Sequence, residues 1–312
     1  MVDKRHNVIC VSGGKDSTAL LLLAIERQAE NLQAVFADTG HEHAQTYDYV
    51  QYLNEKVFPI RTVKADFSAD IQRRRDFLQQ IVDGTAVDTR GKKRWTQETA
   101  ARALEFLHPT GIPFLDLCLV KGMFPTARFR FCSEELKRNP VMEQVLIPLM
   151  GGENTIWNWQ GVRADESQSR AKLPEFDEVG GGLFNYRPIL QWKAQDCFDM
   201  HRKHGIKHNP LYEQGMGRVG CMPCIHARKD ELLEISKRFP EELERVAKWE
   251  ALVTSVMKDT DVGACLLWKD KGGVGIWNAV EWSKTSRKPG QYDLLRTQTN
   301  APLCSSVYGL CE

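Results

Sequence analysis

The chain has 312 residues, 42% hydrophobic and 27% charged, with a formal net charge of +1. That length corresponds to roughly two domains, or one domain with a large appendage, able to bury a sizeable core. The charge excludes a global basic field, so any nucleic-acid surface must be local. No apolar run approaches the ~20 residues of a membrane span. MVDKRHN has no apolar signal core, so a cytoplasmic location is expected.

In chain order, NVICV from Asn7 reads as a buried strand and DSTALLLLAIERQ from Asp16 as a helix. LQAVFADTG from Leu32 gives a second strand, FPIRTVKAD from Phe58 a third, and TIWNWQGVRADES from Thr155 a later strand entering a polar loop. Strand, helix, strand implies crossovers, hence a doubly wound, mostly parallel α/β sheet. Such sheets bind ligands beyond the carboxyl ends of their strands, where the polar loops after Val11, Phe36 and Gly161 fall. The reading is a nucleotide-binding domain over 1–205, with a basic helical insertion at about 83–130, then a cysteine-containing helical region over 206–312. In that region, KDELLEISKRFPEELERVAKWEALVTSV gives two amphipathic helices broken at Pro240.

The joint between the first strand and helix is SGGKDS, Ser12 to Ser17. Gly13 and Gly14 let backbone N–H groups approach a phosphate, the helix N-terminus adds positive potential, Lys15 adds charge, and Ser12 and Ser17 offer hydroxyls. A plain Gly-rich turn is the alternative. The Walker A pattern, GxxxxGK followed by Ser or Thr, is absent.

SGGKDS resembles the pyrophosphate loop (PP-loop) of the N-type ATP pyrophosphatases, the Rossmann-like adenine-nucleotide α-hydrolase group. FADTGHEHAQTYDYV, RFCSEELKRNP, WQGVRADESQSR, the run from Arg187 to Cys224 and the terminal YGLCE are similar, in the same order, to the phosphoadenosine phosphosulfate reductase family. Within it the chain resembles the ATP-dependent sulfurtransferase-like branch, including enzymes of DNA phosphorothioation. Two departures from the true reductases favour ATP cleavage. The loop keeps Gly13, Gly14, Lys15 and Asp16, and Cys132 follows Phe131 rather than a second cysteine. The resemblance implies ATP with Mg2+, cleaved to AMP and pyrophosphate while an acceptor is adenylated. It assigns catalysis to Lys15 and Asp16, and phosphate or sulfate contacts to Lys137, Arg163 and Arg170, with Glu166 orienting an arginine. Asp38, Thr39 and Gly40 would line the nucleotide pocket; capping the next turn is the other reading of Asp38.

Nine cysteines in a reducing compartment point to metal or thiol chemistry where they cluster. Cys221 and Cys224 form CxxC, a chelating spacing. The resemblance implies Cys132 as third ligand and a 4Fe–4S cluster; spacing alone leaves zinc open. Cys304, Cys311, His226 or an open position supplies the fourth ligand, with Cys304 preferred. Cys311 in the tail resembles the reductases' nucleophile. Cys10, Cys118, Cys197 and Cys265 read as core residues.

The expected function is sulfur transfer to an adenylated acceptor, with a sulfur donor such as a cysteine desulfurase and partner subunits. A tRNA or DNA acceptor is suggested by Arg73, Arg74, Arg75, the RGKKRW run from Arg90, Trp95, Trp277 and Trp282, although such runs also occur as solvated faces. A sulfonucleotide reductase and a non-catalytic ATP sensor in a defence system are the competing readings.

Overall fold

The computed structural model describes residues 4–89, 93–151, 154–267 and 274–285. Six strands form one sheet: β1 (Arg5–Cys10), β2 (Leu32–Asp38), β3 (Ile60–Lys64), β4 (Thr155–Trp159), β5 (Phe176–Gly180) and β6 (Leu183–Tyr186), in the order β3-β2-β1-β4-β6-β5. All neighbours are parallel except the β5–β6 pair at the edge. The order reverses between β1 and β4, so their carboxyl ends open a crevice.

Alternation along the strands sorts side chains to two faces. Ile9, Ala34 and Trp159 pack with α1 (Lys15–Glu26), α2 (Ala44–Lys56) and α7 (Ala194–Lys203). Val8, Val35 and Ile156 pack against Val141 and Val145 of α6, a continuous helical segment over 131–149 that alternates α and π turns. The helices are thus on both sides of the sheet.

A larger apolar cluster lies beyond the sheet. It joins α3 (Ser68–Val82), α4 (Gln97–Phe106) and α5 (Pro113–Lys121) to α8 (Lys229–Arg238), α9 (Pro240–Ser255) and α10 (Ile276–Lys284). The helices between β3 and β4 and those at the C-terminal side therefore share one core, with Leu78, Leu117, Val246 and Val253 fully buried. This core docks on the end of β2, where the Phe114 N–H donates to the Thr39 carbonyl at 2.9 Å. Gly40 there has φ +72°, and a side-chain Cβ would stand 2.9 Å from Ile112 and Pro113. No helix among the described residues is long and apolar enough to cross a membrane.

Candidate nucleotide and thiol site

Strand β1 ends at Cys10 and α1 begins at Lys15 with Gly14 as its N-cap, which makes no side-chain capping bond. The positive end of the helix therefore faces the loop. Gly13 has φ +80°, and a Cβ there would meet Thr46 Cγ2 at 2.9 Å, so the turn requires glycine. Ser12 and Ser17 face each other, Oγ to Oγ, at 3.0 Å. The loop is held from behind by residues of α7 and of the segment after it. The Lys15 N–H donates to Tyr212 Oη at 2.9 Å, His201 Nε2–H donates to the Lys15 carbonyl at 2.9 Å, and Asn209 donates to the Gly13 carbonyl at 3.3 Å.

Asp16 is almost wholly buried between two cations, Lys15 Nζ at 2.9 Å and Arg163 Nε at 3.0 Å, and Cys197 donates its thiol to it at 3.2 Å. Arg163, in the loop after β4, is itself buried. Its N–H donates to Glu166 Oε2 at 3.1 Å, and Glu166 also pairs with Arg170. Nη1 of Arg163 is buried with no hydrogen-bond partner among the described residues, and the arginine is held behind the loop by Asp16. Gly161 places this loop against α1, where a Cβ would make ordinary contact at 3.5 Å with the Asp16 and Ser17 backbone.

A pocket opens at the ends of β1 and β2, lined by Ser12, Ser17, Glu42, Lys137, Gly161 and Gly220. Cys10, read from sequence as core, also lines it; burial pushes its thiol up to about 12 against the pull of Lys137. A second pocket brings together Cys132, Cys221, Cys224 and His226, with Thr39, Lys137 and Arg218. Lys137 lines both pockets. Burial first, then the neighbouring Cys224, raises Cys132 to about 11, with Lys137 opposing. Cys221 is raised to about 12 by burial, then by Glu42, with Lys137 opposing. Burial, then Arg218 and Arg130, lowers His226 to about 4.

The β2 turn ties the pockets together. Thr39 Oγ1 donates to Glu42 at 2.8 Å and stands 3.7 Å from Cys221 Sγ, and the Cys221 thiol is 3.9 Å from Glu42. His41, stacked on Phe114 at 4.3 Å, donates Nε2–H to the Pro223 carbonyl at 3.0 Å, and its own carbonyl accepts the Met222 N–H at 2.9 Å. Burial, then Arg245, lowers the His41 pKa to about 3, so the ring is neutral.

Among the described residues no three metal-ligating side chains already stand in a ligand constellation. The thiols converge on one pocket without being at bonding distance of a common point. Their donor set suits an iron–sulfur cluster or zinc, because a bound cation would favour the thiolate forms that burial disfavours at Cys132 and Cys221.

Other residues from the sequence reading fall elsewhere. Asp38 lines neither of these pockets. Its carboxylate accepts the Gly40 N–H at 2.9 Å and the Tyr47 hydroxyl at 2.7 Å, as a turn cap does. Cys304 and Cys311 lie outside the described residues, as do Arg90 and Lys92. The described part of the expected basic surface is partly engaged in the fold, with Arg73 and Lys93 paired but exposed. Arg73 pairs with Asp70, Arg74 donates to the Val120 carbonyl, Arg75 caps the Leu104 and Leu107 carbonyls, Lys93 pairs with Asp259, and Trp95 is buried. Trp277 is exposed, and Trp282 lies beneath the Lys229 ammonium. Sequence reasoning missed Glu42, His41, His201 and Tyr212. The GHEH run beside Asp38–Thr39 was the available signal for the first two, whereas the others depend on long-range docking.

The family described as phosphoadenosine phosphosulfate reductase domain matches residues 6–227. The chain is 45% identical to the "Uncharacterized 37.8 kDa protein in gpa 5'region" of Escherichia phage 186, over 98% of this chain and 96% of that protein. It is 25% identical to phosphoadenosine 5'-phosphosulfate reductase of Erwinia tasmaniensis, over 71% of this chain and 72% of the enzyme. Phosphoadenylyl-sulfate reductase from Candida auris, solved with phosphate, aligns with a TM-score of 0.40 and 16% identity, covering 69% of this chain and 81% of that one. Since the family match spans well over half of the chain, this protein belongs to the phosphoadenosine phosphosulfate reductase domain family.

Proposed function

We propose that the protein is an ATP pyrophosphatase that adenylates an acceptor and replaces the adenylated oxygen with sulfur. The observation that carries this reading is the shared wall. Lys137 lines both the phosphate-loop pocket and the three-thiol pocket, and Thr39 and Glu42 join them, so an activated acceptor and a sulfur source would be neighbours.

In the first step an acceptor oxygen attacks the α-phosphorus, the bond to the bridging oxygen breaks, and pyrophosphate leaves with that oxygen. The Lys15 ammonium, Lys137 and Arg163 would take the phosphate charge, and Mg2+ would supply further charge neutralisation to the leaving pyrophosphate. In the second step sulfur at the sulfide level attacks the acceptor atom that bears the adenylate, and AMP leaves with the oxygen. Cys132, Cys221 and Cys224, completed by Cys304, His226 or an open position, would hold a cluster that supplies such sulfur. A donor such as a cysteine desulfurase replenishes it. A nucleic acid, tRNA or DNA, is the acceptor class proposed; Arg218 in the thiol pocket, with half-buried Arg130 and exposed Phe129 on the segment leading to Cys132, offers charge and a stacking face.

The second reading, reduction of a phosphosulfate, is favoured by likeness to the Erwinia enzyme. Mass spectrometry of digested nucleosides from reactions with ATP, tRNA or DNA and sulfide separates the two. A thionucleotide or phosphorothioate supports transfer. Sulfite released from phosphoadenosine phosphosulfate, with no sulfur gained by nucleic acid, replaces it with reduction.

A further inference from the structure

Met222 and Pro223 separate the two cysteines of the CxxC. Proline has no N–H, so the backbone of this dipeptide offers the Met222 N–H and the two carbonyls for hydrogen bonding. Two residues from distant parts of the chain engage all of them. The Met222 N–H donates to the His41 carbonyl at 2.9 Å. The Pro223 carbonyl accepts from His41 Nε2 at 3.0 Å, and the Met222 carbonyl accepts from Arg245 Nη2 at 3.1 Å. A backbone bridge between Glu42 and Cys221 extends the contact. Met222 is buried, so a backbone group that lost its partner there would find no water in its place.

His41 and Arg245 also hold each other. A carbonyl can only accept, so Nε2 of His41 carries the proton and Nδ1 is an acceptor. Arg245 Nη2 lies 3.3 Å from that Nδ1. The guanidinium is fixed further by Glu242, three residues earlier on α9, and by the Trp249 ring, 4.8 Å away. Trp249 in turn lies 5.1 Å from the His41 ring. Glu242, Arg245 and Trp249 all lie beyond residue 227, where the family match ends.

We propose that Arg245 and His41 are the positioning residues of the CxxC. They fix the Met222–Pro223 backbone so that the Cys221 and Cys224 thiols are held on the wall of their pocket before a metal arrives. Groups that hold metal-ligating residues in place raise affinity by sparing the metal the work of ordering them. The inference rests on the reading of Cys132, Cys221 and Cys224 as a metal site. It gives the C-terminal helices a role at that site.

The reduced, metal-free full chain would be titrated with Co2+, whose thiolate charge-transfer absorption reports cysteine ligation. Wild type should bind with that absorption, and Arg245→Ala should bind at least about tenfold more weakly. Arg245→Lys, which keeps a donor, should recover part of the loss. Val253→Ala removes buried volume two turns further along α9 and should leave Co2+ affinity unchanged. Hydrogen exchange of the Met222 amide reads the same contact without metal. It should run at least about tenfold faster in Arg245→Ala, with the amides of α1 unchanged. Equal Co2+ affinity in wild type and Arg245→Ala, or an equal loss in Val253→Ala, overturns the proposal and leaves the metal site standing. A wild type that binds no Co2+ overturns the metal-site reading instead. The hold on the loop is then decided by exchange, and a Met222 amide indifferent to Arg245→Ala overturns it.

Discussion

Asp16 and Lys15 are adjacent in sequence and opposite in consequence. Asp16 is buried against Lys15, Arg163 and the Cys197 thiol, so its removal leaves the buried Arg163 guanidinium with only the longer contacts to Asp165 at 3.5 Å and Glu166 at 3.9 Å. Breaking a buried pair from one side costs about 3–5 kcal/mol, and Asp16→Ala should lower the urea midpoint accordingly. Lys15→Ala leaves Asp16 paired with Arg163, so the midpoint should hold within about 1 kcal/mol while turnover collapses. If both variants were equally stable, Asp16 would not be the support of this site. Sequence showed that the two residues belong to the loop. It did not show which is structural, because the answer depends on Arg163 and Cys197, both more than 140 positions away.

His41 makes a second prediction at the same scale. An imidazole with a pKa lower in the fold than in the unfolded chain binds protons preferentially when unfolded. Its contribution is therefore complete above about pH 6.5 and declines as pH falls toward about 3. At about 1.4 kcal/mol per pH unit, roughly 2 kcal/mol should be lost by pH 5. His43, His201 and His226 are shifted in the same direction and add to the loss. Denaturant titrations from pH 7.5 to 5 should show the decline, flattened in His41→Gln. A pH-independent midpoint contradicts a neutral buried His41.

At the scale of elements, β1 to β4 and α1 were legible because buried strands read as short apolar runs and the glycine pair punctuates the first joint. The antiparallel β5 was not, since its exposed FDEVG sequence has no apolar alternation. The π turns of α6 likewise follow from packing and carry no local signature. The CxxC was visible as a pair and the family resemblance added Cys132; what neither showed is that the β2 turn docks on the 221–224 loop through His41 and Glu42. A metal at these thiols must displace protons held to about 11 and 12 on Cys132 and Cys221, so metal affinity should rise with pH. Protein isolated without oxygen should carry iron and sulfide. Cys221→Ser and Cys224→Ser should abolish that content and Cys265→Ala should not. Stoichiometric zinc without iron would keep the ligand set and remove the cluster.

For the whole molecule, the insertion helices and the C-terminal helices share one apolar core, and Arg102 of α4 donates to the Met257 carbonyl just past α9. Amides of α4, α5 and α9 should therefore exchange with one common opening free energy in native-state hydrogen exchange. Exchange of α4 and α5 well before α9 would show an independent insertion. This shared core carries Trp249, 5.1 Å from the His41 ring, so it also supports the thiol loop. Length and composition indicated that a large core exists; which segments share it is a matter of contacts distant in sequence.

The central claim is that the intact phosphate loop cuts ATP between the α- and β-phosphates. The most direct measurement is the fate of label from α-32P ATP incubated with Mg2+, sulfide and tRNA or DNA. The expected result is label in AMP, with equimolar pyrophosphate, lost in Lys15→Ala. Label appearing in ADP, or AMP formed equally by Lys15→Ala, would contradict it.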